Sequence, residues 1–128
     1  MVLLFNTLAV VVALVVALLH TMAVYYSLYW NYLWFDILMH VLGGLTFGFW
    51  AGAVSLRMHF TPARAILFTA AVVFFVSVAW EIFEFISGFT TLERGFWLDT
   101  AGDIFFAIVG AVLAYLLFLL ARRRITTL

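Results

Sequence analysis

The sequence predicts an all-α fold, a four-helix transmembrane bundle, from three observations. Hydrophobic residues make up 69% of the 128 and charged residues 9%, too few polar groups to cover a soluble domain of this size. The apolar residues fall into four runs, each long enough to cross a hydrocarbon core at about 20 residues per helix. Polar and turn-forming residues cluster at the ends of those runs. Nothing is left over for a second domain, so residues 1–128 read as one transmembrane domain with helices at about 3–27, 34–56, 62–88 and 98–121.

Composition also excludes function classes. Net charge is zero, and the longest basic tract is Arg122-Arg123-Arg124, so nucleic-acid binding has no footprint. The absence of cysteine removes disulfides, zinc-thiolate sites, iron–sulfur clusters and thiol nucleophiles. The six basic residues are all arginine, which removes Schiff-base chemistry.

The first run is interrupted only by Asn6, Thr7, His20 and Thr21. Its start, MVLLFNTLAVVV, lacks the positive region of a secretory signal and reads as a retained span. It ends in YYSLYWNYLW, a density of Tyr and Trp suited to the membrane–water interface, with Asn31 marking the turn. In the second run Gly44, Gly48 and Gly52 recur every fourth residue in line with Asp36 and His40, a stripe that lets another helix approach closely. Thr61-Pro62 reads as an N-cap followed by proline at the first helical position, so the third run starts there. Gly88 suits its C-terminus. A polar loop with Glu93 and Arg94 precedes the fourth run, which opens at Trp97-Leu98-Asp99 and ends before the three terminal arginines.

Five of the six arginines (57, 64 and 122–124) fall on one side of such a bundle. The positive-inside rule makes that side cytoplasmic, with both termini there and the protein integral to the plasma (inner) membrane. The carboxylates then lie in the outer half of the bilayer. At a rise of about 1.5 Å per residue, His20, His40, Glu84 and Asp103 come within roughly two turns of one another in depth.

The chemistry concentrates in residues 80–103, which hold five of the six carboxylates: Glu81, Glu84, Glu93, Asp99 and Asp103. Glu81 and Glu84 are three apart, Asp99 and Asp103 four apart, and Asp36 and His40 four apart, so each pair projects from one helix face. Like charges about 4 Å apart repel by roughly 4 kcal/mol at an effective dielectric near 20, so the group needs protons or cations. Asp36 and Asp99, which stand near N-termini, read equally as helix-end caps or as site residues, and Glu93 reads as loop. Helix-end chemistry does not account for Glu81 and Glu84, near a C-terminus where the dipole disfavours anions, nor for Asp103, deeper in its helix. His59 reads as a surface or headgroup residue, and His20 equally as a ligand or a core hydrogen-bonder.

Oxygen-rich sites with one or two imidazoles favour divalent ions such as Mg²⁺, Mn²⁺, Fe²⁺ or Zn²⁺. The expected site is therefore a divalent metal ion held by His40, Glu81, Glu84 and Asp103, with Asp36, Asp99 and His20 as additional or supporting ligands. The Glu-x-x-His pairing of bundle-core dimetal proteins is absent. Such an ion can activate water, with Glu81, Glu84 and Asp103 as catalytic groups, for hydrolysis or transfer on a lipid or lipid-linked substrate. Three other readings stay open: a proton or cation transporter, for which the other half of the bilayer supplies Asn6, Thr7, Thr69 and Ser77 as polar groups; a haem b protein with His20 and His40 as axial ligands; and a non-catalytic assembly protein whose acids lock helices together.

The order D-x-x-x-H (Asp36, His40), W-E-x-x-E (Trp80, Glu81, Glu84) and D-T-x-x-D (Asp99, Thr100, Asp103), followed by Gly110, resembles the VanZ-like group of small integral membrane proteins, most closely its YjdF-like branch. The resemblance covers residues 35–115. It implies a multi-pass architecture and a setting at the cell envelope, and it marks Asp36, His40, Glu81, Glu84, Asp99 and Asp103. VanZ proteins tend to carry a glutamine-bearing signature where this chain has Glu84.

Overall fold

The computed structural model describes residues 1–88 and 95–126, with residues 122–126 as backbone only. In chain order the helices are α1 (Val2–Tyr25), α2 (Leu28–Asn31), α3 (Leu33–Arg57), α4 (Pro62–Ser87) and α5 (Phe96–Thr126). Four of them are long and apolar enough to cross a membrane, and α2 is a single turn. The fold is a four-helix bundle with no strand among the described residues.

The ends have local causes. Helix α1 stops at Tyr25, before the aromatic run is complete, because Ser27 takes a left-handed conformation (φ 58°) and turns the chain. The aromatic stretch is therefore an elbow, α2, folded back beside α3. Helix α4 begins where Thr61 accepts the Arg64 amide with its side chain, 3.4 Å away, and proline fills the first helical position. It stops at Gly88, whose φ of 74° a residue with a Cβ adopts less readily.

Helix α3 is central, packing against α1, α4 and α5, while α4 also packs on α5. The α3–α5 approach is the closest kind two helices can make. A Cβ on Gly44 would run into the carbonyl of Ala107, and one on Gly110 into the carbonyl of Val41. One on Gly48 would lie 2.7 Å from the Ala114 Cβ. In lipid, where apolar side chains gain little by leaving their surroundings, such dispersion contacts are what holds helices together. Gly52 belongs to a different surface, since its nearest neighbours are the rings of Phe5 at 3.6 Å and Phe118 at 3.9 Å. Those rings join Phe49, Ala9, Ala53 and Ala114 in a core cluster at the arginine-bearing end. A smaller cluster of Ala23, Phe35 and Met39 lies at the elbow end.

Candidate metal centre

Helical periodicity puts Asp36 and His40 on one face of α3. The His40 Nε2 lies 3.5 Å from Asp36 Oδ1 and 3.4 Å from Oδ1 of Asp103 on α5. Both separations exceed the ~2.7–2.9 Å of a tight charge-assisted hydrogen bond. His40 is 8% exposed and Asp103 6%. One turn before Asp103, Thr100 donates its hydroxyl to Glu81 Oε2 at 2.9 Å, joining α5 to α4. Glu81 is 7% exposed, and its other oxygen is buried with no hydrogen-bond partner. Glu84 follows one turn later, half-buried.

These side chains make two sets of ligand atoms, each set lying within 4.8 Å of one another. One is Asp36, His40 and Asp103; the other is His40, Glu81 and Glu84. His40 belongs to both, so four residues from three helices converge on its imidazole. Among the described residues, four carboxylates face one group able to carry positive charge, in surroundings where an unpaired ion is costly. Arg57 and Arg64 offer no relief, because they stand at the opposite ends of α3 and α4.

A cavity of about 140 Å³ adjoins the cluster, lined by Tyr29, Asp36, His40, Gly43, Trp80 and Glu84 among others. It has room for water or a small polar group. Tyr29, on the elbow, shares a 2.8 Å hydrogen bond with His20 Nδ1, and the His20 ring meets Trp80 edge-on at 5.6 Å. Burial, and after it the negative charge of Asp36 and Glu84, pushes the Tyr29 phenol above its usual range, so it keeps a proton to donate.

The expected residues thus separate. Asp36, His40, Glu81, Glu84 and Asp103 come together. His20 belongs to neither ligand set and braces Tyr29. Asp99 is exposed on the first turn of α5, also outside both sets. His59 is exposed at the far end with φ 52°. Glu93 and Arg94 lie outside the described residues. Sequence reasoning passed over Tyr29, because its stretch reads as an interfacial belt, and only the left-handed turn at Ser27 brings it inward. It also passed over Thr100, whose signal was present: it stands one turn before Asp103 inside D-T-x-x-D.

Comparison with curated proteins and with solved structures finds no match. A family model described as "Predicted membrane protein (DUF2238)" matches residues 2–124. The chain therefore belongs to this YjdF-like family of multi-pass membrane proteins.

Proposed function

We propose that this membrane protein captures a divalent cation with Asp36, His40, Glu81, Glu84 and Asp103, and uses it for hydrolysis or group transfer on a lipid or lipid-linked substrate at the outer leaflet of the plasma membrane. One observation carries the reading: a carboxylate oxygen of Glu81 is buried without a partner inside a cluster where His40 serves two ligand sets. A buried unsatisfied carboxylate is expensive, and a cation removes the cost. The 3.4 and 3.5 Å separations around His40 also suit ligation. Donors held ~2.1 Å from a tetrahedral ion stand ~3.4 Å from each other.

In this reading the ion supplies a Lewis acid and an activated water. Thr100 holds Glu81 in place, Glu84 faces the cavity as the group able to move a proton, and Tyr29 donates a hydrogen bond at its edge. Ligation requires His40 Nε2 and the carboxylates to be free of protons, so cation uptake releases protons. A VanZ-like kinship and a cell-envelope role agree with this arrangement.

The other readings find less support. A carrier finds Thr69 and Ser77 buried along α4, but Asn6 and Thr7 are exposed. For haem ligation, His40 Nε2 is already flanked by two carboxylates. An assembly role explains the Thr100–Glu81 tie but not the unpartnered oxygen or the cavity beside it. The test is elemental analysis of protein purified without chelators, repeated on Glu84→Ala. A single divalent ion per chain, depleted in the variant, is expected. Equal metal in both, or none in the wild type after reloading, sinks the proposal.

A further inference from the structure

The arginine-bearing end holds a second cavity, of about 280 Å³, lined by Ser55, His59, Pro62, Tyr115, Phe118 and Leu119 among others. Ser55, in the last turns of α3, is 3% exposed, and its hydroxyl is buried with no hydrogen-bond partner. A polar group left unpaired at a cavity wall marks where something polar belongs.

The charge of the ligand follows from the surroundings. Among the described residues, the carboxylates Asp36, Glu81, Glu84, Asp99 and Asp103 lie on the parts of the helices remote from this end, so none of them serves as an anion here. Arg57 and Arg64 stand at the same end of the bundle, in the last turn of α3 and the first turn of α4, outside the cavity lining. The negative end of the α3 dipole is closed by the chain itself. The amide of Met58 bonds to the Val54 carbonyl at 2.9 Å, that of Phe60 to Ser55 at 2.9 Å and that of His59 to Leu56 at 3.2 Å. The left-handed conformation of His59 makes this closure. The first turn of α4 borders the cavity through Pro62 and Ala65 and brings the positive end of its dipole to this level. It offers no free amide there, since proline has none and the Ala65 amide is bonded to the Thr61 carbonyl. Donors and positive potential without an acid select an anion.

The depth selects which anion. The cavity lies where the membrane-crossing helices end, and its lining joins polar Ser55 and His59 with apolar Phe118 and Leu119. A headgroup phosphate with the first carbons of its chains matches that combination. We propose that this cavity binds the phosphate-bearing headgroup of an anionic membrane lipid, with Ser55 and His59 as donors.

Native mass spectrometry of the full chain in detergent, titrated with phosphatidylglycerol or phosphatidylcholine, tests this. A first phosphatidylglycerol is retained where phosphatidylcholine is not, and excess inorganic phosphate leaves it in place. Ser55→Ala and His59→Gly weaken retention by about tenfold or more, the scale of one hydrogen bond to a charged group. Arg57→Gln, on the exposed surface, weakens it far less. Equal retention of both lipids, displacement by phosphate, wild-type binding by both cavity variants, or an equal loss in Arg57→Gln would overturn the proposal. Should Ser55→Ala fail to fold, exposed His59, whose left-handed φ glycine accepts freely, decides the matter. Glu84→Ala should retain the lipid, which separates this site from the cation site.

Discussion

Helices α3 and α5 meet in two different ways one turn apart. Gly44 meets Ala107 backbone to backbone, with no space for a methyl group between them. Four residues earlier on each helix, His40 and Asp103 face each other at 3.4 Å, and an unpartnered carboxylate and a cavity lie close by. The two levels are linked by helical register: His40 precedes Gly44 by one turn, and Asp103 precedes Ala107 by one turn. The tight seam therefore sets the distance across the loose one.

The largest expected effect comes from breaking the seam. Gly44→Ala and Gly110→Ala force α3 and α5 apart and should cost about 1–3 kcal/mol or more, measured as a lower unfolding midpoint in detergent. Gly43→Ala, one residue away with nothing within 4 Å of its Cβ, should be neutral or stabilise by up to about 1 kcal/mol, the ordinary helix preference for alanine. If the adjacent pair behave alike, the seam is not where the geometry puts it.

Next comes the acid level itself. Glu81→Gln is nearly isosteric and should leave the unfolding midpoint unchanged or raised, since it removes a buried charge. It should nonetheless abolish stoichiometric cation loading, measured by equilibrium dialysis. Thr100→Val removes the bond that orients Glu81 and should weaken loading by about 10–100-fold, the usual consequence of losing a group that orients a ligand. The smallest effects belong to the residues outside both ligand sets. Asp99→Asn, at an exposed position, should change neither loading nor stability measurably. Tyr29→Phe should leave loading intact and lower stability by about 1 kcal/mol through the lost bond to His20.

Much of this was legible in the residues. The i,i+3 and i,i+4 spacings put Glu81 with Glu84 and Asp36 with His40, because a helix of any membrane protein has the same period. Thr61-Pro62 and Gly88 marked the limits of α4, because capping is local chemistry. His20 was not legible: its partner is decided by where the elbow places Tyr29, and that turns on one backbone conformation at Ser27. The glycine stripe was legible as a stripe but not in its partners. Gly44 and Gly48 meet the backbone and Cβ atoms of α5, whereas Gly52 meets the rings of Phe5 and Phe118.

X-ray absorption at the edge of whatever metal the purified protein carries tests the central claim most directly. The account predicts nitrogen and oxygen donors at about 2.0–2.2 Å without sulfur, with imidazole scattering that disappears in His40→Ala. An all-oxygen water shell that His40→Ala leaves unchanged, or an absence of bound metal under saturating conditions, would contradict it.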